Sequence, residues 1–354
     1  MGVAGQNADF VEENQKMERL FMDICYATDS NFFMQTAVSL ISVIQTSDDT
    51  PITFHILDAG LTNDQKTLLS TLVTDNCQVV FYNVVSRLES LKETGQRAWG
   101  DFPSYATWAR LFIPEVLPND VSSLLYLDGD VIASSNWTSL IDFDFHGALL
   151  AGVEDCVASA HKISIGFPPS KPYVNAGVLL FNLTEWRKSY SAIWPKKYLT
   201  SHFCYPMADQ DVINLMFQNS TIYLPIKYNY SVWFRLLDIA DLSKLLDEPF
   251  LCRHSQSEID LCARHRAVFT HFNSCNLVIR PWYRHSTDPA RNLWYSYYKL
   301  SPWRNQRLLI EPRHFSIGES WDRFLYRIFG RKYYFDIHEI SQSLKSKMSL
   351  KRHN

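Results

Sequence analysis

The first twenty residues, MGVAGQNADFVEENQKMERL, contain no apolar h-region, so no secretory leader is expected there. No apolar run reaches membrane-spanning length. A charge of one sign is also missing. The 34 Lys and Arg against 37 Asp and Glu leave a formal charge of −3, which gives no global attraction for nucleic acid. The 7 cysteines are odd in number and lack framework spacing, which favours a reducing compartment over a disulfide scaffold. There is no internal repeat and no low-complexity linker. N-x-[ST] matches at Asn136, Asn182, Asn219 and Asn229 read as chance without a leader.

The chain does have core-forming material, 46% hydrophobic and 14% aromatic in 354 residues. That suits one large α/β domain with an appendage. Its charge is uneven. Residues 301–354 carry eleven Lys/Arg and five acids, a +6 tail that leaves −9 for the remainder.

Short apolar runs alternate with helical periodicity, which predicts a mostly parallel sheet. Strands are expected at 21–28, 52–60, 77–84, 148–156, 174–183 and 267–272. Helices are expected at 35–45, at 62–73 with Thr62 as cap, over 104–118 until its prolines, and at 207–217. The first 130 residues thus repeat a β-α unit in the Rossmann-like, nucleotide-binding style.

The stretch LLYLDGDVI, 124–132, places Asp128 and Asp130 one residue apart after a greasy strand. In an extended chain, residues i and i+2 share a face. Gly129 is expected to let the backbone bend tightly between them. Two such carboxylates can share one divalent cation, which cancels a repulsion that would otherwise raise one pKa. Hard oxygen ligands suit Mg²⁺ or Mn²⁺. Two other readings stay open on the pair alone. One is a surface DGD turn. The other is the Asp nucleophile of haloacid-dehalogenase-type phosphotransferases, which also follows a hydrophobic strand.

CYATDSNF (25–32), ARLFIPEVLP (109–118), VNAGVLLFNL (174–183), ADQDVINLMF (208–217) and THF (270–272) leading to RPW (280–282) accompany the pair, in that order. Over residues 21–304 these resemble the family 8 glycosyltransferases, retaining enzymes of the GT-A fold that include bacterial lipopolysaccharide galactosyl- and glucosyltransferases. The resemblance implies a metal-dependent transfer of glucose or galactose from UDP-glucose or UDP-galactose to a saccharide acceptor. It places Ala27, Thr28, Asp29, Asn31 and Phe32 around the uridine, and Arg110 near the donor sugar and phosphates. It assigns Asn175 and Ala176 to the sugar, with Gly129 beside the Asp pair. It groups Asp209, Gln210 and Asp211 as the catalytic cluster, with Gln210 across the anomeric carbon from the leaving group. Asp209 is equally placed to be a helix N-cap. His271 would complete the cation's ligands with Asp128 and Asp130, and one nitrogen among oxygens favours Mn²⁺ slightly.

The chain departs from the family's H-F/Y-x-G-x-x-K-P-W loop. HFNSCNLVIRPW has Ser274 in place of the Gly, three added residues and Arg280 in place of the Lys, so diphosphate binding there would use a planar fork. A non-catalytic nucleotide-sugar or glycan-binding protein of the same fold is the remaining alternative. Cys252, His254, Cys262 and His265 contain zinc-ligand types at an unusual spacing.

Residues 1–20 are expected to be disordered and 305–354 to form a basic, amphipathic, helical tail. Within 319–335, Trp321, Phe324, Leu325 and Ile328 recur at helical spacing among Arg323, Arg327, Arg331 and Lys332. That pattern suits either docking on the protein or peripheral contact with an anionic membrane. The expected location is the cytoplasm, at the inner face of the membrane if the acceptor is lipid-linked.

Overall fold

A computed structural model describes residues 21–96, 104–193, 196–199, 203–246, 254–311 and 320–330. Its strands are β1 (Met22–Thr28), β2 (Ile52–Asp58), β3 (Cys77–Asn83), β4 (Ser123–Leu127), β5 (Val131–Ala133), β6 (Leu150–Glu154), β7 (Val174–Asn182), β8 (Thr221–Tyr223) and β9 (Phe269–His271). The longer helices are α1 (Phe33–Gln45), α2 (Asn63–Thr71), α3 (Val85–Lys92), α4 (Leu183–Ile193), α5 (Asp209–Phe217), α6 (Gln256–His265) and α7 (Arg291–Tyr298).

Seven strands form one sheet in the order β3-β2-β1-β4-β7-β6-β8. β1, β2, β3 and β4 run parallel, and so do β6 and β8, while β7 is antiparallel to both of its neighbours. Both faces are covered, which explains the near-continuous apolar runs. In β4, Leu125 and Leu127 pack with α1 residues Leu40 and Val43 on one side. Leu124 and Tyr126 pack with Trp108 and Phe181 on the other. The fold is α/β with a mostly parallel sheet.

Local sequence sets several boundaries. Thr62 accepts from Gln65 N–H while the Gln65 side chain accepts from Thr62 N–H, a capping box that starts α2. The helix expected over 104–118 forms differently, as a 3₁₀ segment, Ala106–Phe112, followed by one α turn, Ile113–Val116. Pro114 sits in that turn's first positions, where its missing N–H costs nothing. The strand expected at 267–272 is buried but leaves the main sheet. β9 pairs antiparallel with β5 in a two-stranded ribbon, with Val131 opposite His271.

The expectation for residues 1–20 falls outside the described residues, as do most of 312–354. The described part of the tail contains a helix at 320–330. Leu325 and Tyr326 pack on the protein, and Tyr326 donates to Leu236 O at 3.3 Å. Trp321, Phe324 and Ile328 remain exposed. No helix among the described residues is long and apolar enough to cross a membrane.

Candidate active site

The carboxyl ends of β1 and β4 and the amino end of β7 open into one cavity of about 330 Å³. This is where α/β sheets bind ligands. Ala27, Thr28, Asp29, Asn31, Phe32, Arg110, Asp128, Gly129, Asp130, Asn175, Ala176, Asp209, Gln210, His271, Ser274 and Arg280 all line it. Every residue selected from the sequence for the site, except Asp211, therefore meets in one place.

The ribbon of β5 and β9 brings His271 to the acidic pair. Ligand atoms of Asp128, Asp130 and His271 lie within 4.8 Å of one another. His271 Nε2 is 3.1 Å from Asp130 Oδ1. Its Nδ1 lies 3.0 Å from Asn229 Oδ1, so Nδ1 carries a hydrogen and Nε2 is the nitrogen turned to the carboxylates. Nε2 and the two carboxylates face one point, where a proton on Nε2 or a divalent ion relieves their opposition, so the donor set fits a divalent ion. Backbone supports the same arrangement. A Cβ on Gly177 would come within 2.2 Å of His271 Cε1, so the ring fits only against a glycine. Arg235 donates to His271 O at 2.8 Å and pairs with buried Asp288 at 2.9 Å, which braces the strand from behind.

Electrostatics separates the two acids. Burial raises the pKa of Asp128, opposed by Arg110 and reinforced by Asp130. Burial acts on Asp130 too, but His271 and Arg280 bring it below the usual carboxylate range. Arg280 Nη1 is 3.4 Å from Asp130 Oδ2, and its guanidinium lies 4.6 Å from the Trp282 ring centre.

Gly129 is needed for a reason other than a tight bend. A Cβ there would meet Thr36 Oγ1 at 2.3 Å and Thr36 Cα at 3.2 Å, so the loop is pressed against α1. Asp29 is committed differently from the expectation as well. Its Oδ1 accepts from the N–H groups of Asn31 and Phe32, which shapes the entry to α1. Phe32 is half-buried and sits edge-on to Trp282.

Arg110 is buried, not solvent-facing. Its Nη2 is 2.7 Å from Asp128 Oδ1, its Nη1 donates to Ala176 O, and its Nε is 2.8 Å from Asp209 Oδ2. Burial would lower its pKa, but Asp128 and Asp209 hold it above the ordinary arginine value. The guanidinium therefore ties the acidic pair to α5. The Nε–H itself points at Thr107 O, 2.9 Å away. Asp209 Oδ2 consequently accepts no hydrogen bond among the described residues, although Asp209 is 4% exposed and faces the cavity. That oxygen is itself closed off from solvent and lies in the Arg110 ion pair, so Asp209 borders the cavity as one half of a buried charge pair.

Two expectations for α5 are corrected. Asp209 is not the N-cap, because the helix begins with it and Ala208 holds that position without a side-chain cap. Ala208 has φ 51° and ψ −130°, a region L residues rarely occupy, and such strain concentrates at functional sites. Asp211 does not join the cluster at the cavity. Fully buried, it accepts from Tyr173 Oη at 2.6 Å, His161 Nε2 at 2.7 Å and Met207 N at 2.8 Å, so it anchors the turn before α5. Gln210 faces the cavity with both ends held. Its Oε1 accepts from Ala176 N at 2.9 Å, and its Nε2 donates to Asp155 Oδ2 at 3.2 Å.

Asp155, Trp233, Asn273 and Met207 also line the cavity and were missed. Asp155 had a signal, since it directly follows a strand that runs parallel to β4. Asn229, buried inside YNYS, had none, and its burial removes it as a glycosylation acceptor. Of the zinc quartet, Cys252 lies outside the described residues. His254 and Cys262 are buried and His265 is exposed, and among the described residues the only three-ligand cluster is Asp128, Asp130 and His271.

Comparison with known proteins agrees with this geometry. The sequence profile described as Glycosyl transferase family 8 matches residues 23–285. A lipopolysaccharide 1,2-glucosyltransferase of Escherichia coli is 25% identical over 297 residues, 81% of each chain. Lipopolysaccharide glucosyltransferase WaaO of Escherichia coli strain K12 is 26% identical over 306 residues, 82% of each chain. The galactosyltransferase LgtC, solved with donor and acceptor sugar analogs, superposes with a TM-score of 0.63 at 25% identity, covering 81% of this chain and 100% of its own. With three quarters of its length matched, the chain belongs to glycosyl transferase family 8, among relatives of the lipopolysaccharide glucosyl- and galactosyltransferases.

Proposed function

We propose that the protein is a metal-dependent, retaining hexosyltransferase. It moves glucose or galactose from a UDP-sugar to a saccharide acceptor in the synthesis of lipopolysaccharide or another cell-surface glycan. The observation that carries the reading is the convergence of Asp128, Asp130 and His271 on one point of a cavity that also presents Asp209 and Gln210.

Asp128, Asp130 and His271 would hold Mn²⁺ or Mg²⁺, which when bound supplies Lewis-acid stabilisation to a departing diphosphate. Every other role falls to side chains and backbone. Ala27, Thr28, Asp29 and Asn31 border the uridine end, with Phe32 as its apolar wall. Arg280, beside Asp130, offers a fork to phosphate oxygens, with Ser274 near it. Asp209, at the cavity wall and paired with Arg110, would take a sugar hydroxyl. Asn175 and Ala176 shape the sugar's place. Gln210, clamped at both ends, lies against the reacting face. Asp155 accepts from Asn175, Gln210 and the Cys156 N–H, which leaves it poorly suited as a nucleophile. Front-side displacement, with the leaving phosphate taking the acceptor's proton, fits that arrangement.

The Asp-nucleophile phosphotransferase fits less well, because Asp128 Oδ1 is already engaged by Arg110 and Tyr126 Oη. A donor screen with UDP-glucose and UDP-galactose, with and without Mn²⁺, tests the reading. Mn²⁺-dependent UDP release is expected. Phosphate release from phosphomonoesters without UDP-sugar turnover would instead indicate the phosphotransferase, and donor binding without turnover a binding protein.

The reading includes a cytoplasmic enzyme that meets an anionic membrane through 319–335 and takes a lipid-linked acceptor. Exposed Trp321, Phe324 and Ile328, with exposed Arg327 beside them, support it. Co-sedimentation with phosphatidylglycerol vesicles, lost in Trp321→Glu/Phe324→Glu, is the expected result. Equal recovery of wild type and variant would remove the membrane from the proposal.

A further inference from the structure

A continuous line of side chains connects the reaction centre to the cation ligands, and it runs through an acid outside the DxD motif. Asp155 Oδ2 accepts from Gln210 Nε2 at 3.2 Å and from Asn175 Nδ2 at 2.9 Å. Asn175 Oδ1 accepts from Asn229 Nδ2 and from Gly177 N–H, each at 2.9 Å. Asn229 Oδ1 meets His271 Nδ1 at 3.0 Å. Asp155, Asn175, Asn229 and His271 are all buried, so their polar atoms rely chiefly on one another for partners.

Chemistry fixes the direction of every bond. An ionised carboxylate only accepts, so Gln210 and Asn175 both turn their N–H groups to Asp155. Asn175 then faces Asn229 with its oxygen, and the Gly177 N–H independently fixes that orientation. Asn229 must donate to Asn175, which leaves its own oxygen facing the imidazole. That oxygen accepts, so a hydrogen of His271 sits on Nδ1, and in the neutral ring Nε2 turns its lone pair to Asp128 and Asp130. Reversing any amide would oppose two oxygens or two N–H groups in a buried site, at about 1–3 kcal/mol for each group left unsatisfied.

We propose that Asp155 and Asn229 are positioning residues that set the metal-binding tautomer of His271, and that Asp155 holds Gln210 with the same carboxylate. This rests on the cation reading above. Neither residue touches the ion. Outer partners of this kind orient a ligating histidine and raise its basicity. The arrangement couples the readiness of the cation site to the placement of the side chain at the reacting face.

The test is Mn²⁺ affinity of the full chain without donor, read from the electron paramagnetic resonance signal of free Mn²⁺. Asn229→Leu, similar in size but without an acceptor, is expected to weaken binding about 10–100-fold, whereas Asn229→Asp, which still accepts from Nδ1–H although it sets a second oxygen against Asn175, loses clearly less. Asp155→Asn is expected to weaken binding about tenfold. Saturating Mn²⁺ should restore kcat in Asn229→Leu but not in Asp155→Asn, where Gln210 has also lost its partner. If Asn229→Leu fails to fold, Asn229→Ala against Asn229→Asp carries the same comparison. Wild-type affinity in Asn229→Leu and Asp155→Asn, or equal loss in Asn229→Asp and Asn229→Leu, would overturn the relay. A wild type that binds neither Mn²⁺ nor Mg²⁺ would overturn the cation reading beneath it.

Discussion

Gly177→Ala removes no polar group, yet it should strike the cation site. The added Cβ would lie 2.2 Å from His271 Cε1, 2.7 Å from Nδ1 and 2.8 Å from Nε2. Ordinary contact begins at 3.4 Å, so ring and strand must separate by 3.4 − 2.2 = 1.2 Å. Metal–nitrogen bonds tolerate only about ±0.2 Å. The strand has little room to yield, because β7 is hydrogen-bonded on both sides and Gly177 O accepts from Asp128 N at 2.9 Å. The ring therefore moves, and His271 is lost as a ligand. Overpacking of this kind costs about 1–3 kcal/mol, which lowers Tm by a few degrees in a chain this long. Calorimetric titration with Mn²⁺ should show at least tenfold weaker binding, the low end of what loss of a supporting partner costs, while the chain stays folded. Mn²⁺ affinity equal to wild type would refute the reasoning, since it would mean that His271 either is not a ligand or relaxes freely.

Burial, opposed by Arg110 and assisted by Asp128, pushes the Asp209 carboxyl up to about 6. A folded pKa raised above the unfolded 3.8 means that stability is greatest at low pH and is lost as pH rises through about 6. The shift corresponds to about 3 kcal/mol against the ionised form at neutral pH. Asp209→Asn should therefore raise Tm at pH 7.5, gain little at pH 4 and abolish turnover; a lower Tm at pH 7.5 would contradict the assignment. In the wild type, donor turnover should fall as pH drops through about 6, measurable as UDP release. Arg280→Ala should cut kcat/KM by about tenfold or more while Arg280→Lys retains part of it, because a point charge keeps the attraction but loses the fork; equal activity in all three would take Arg280 off the diphosphate. Thr62→Ala removes the cap of α2 and should cost about 1 kcal/mol by thermal melt without changing turnover.

The residues most legible in sequence were those whose function depends on local spacing. Asp128 and Asp130 lie at the end of an apolar strand, and the alternation that predicts β4 also predicts which edge they occupy. Thr62 announced a cap by its place before a helical run, while its partner Gln65 emerged only from the structure. His271 was legible through its place in a motif, but the reason it reaches the acids was not. A three-residue strand that leaves the main sheet for a separate ribbon has no periodicity to reveal it. Asp211 and Asp209 are chemically identical and two residues apart, yet helical geometry turns one to the cavity and the other into the core beneath Tyr173. Arg110 read as a ligand-facing fork, and its burial between two acids depended on packing that brings β4 and α5 together. Asn229 and Gly177 were invisible because each matters only through contact with a ring contributed from elsewhere in the chain.

The pairing of β5 with β9 has a consequence for biosynthesis. Asp130 and His271 sit on opposite halves of the polypeptide, so a nascent chain carries the acidic pair long before the imidazole emerges from the ribosome. Until β9 docks, two neighbouring carboxylates repel with no third ligand to hold an ion. On the proposed cation reading, a product truncated before residue 269 lacks the third ligand and is expected to be inactive however well its first strands have folded.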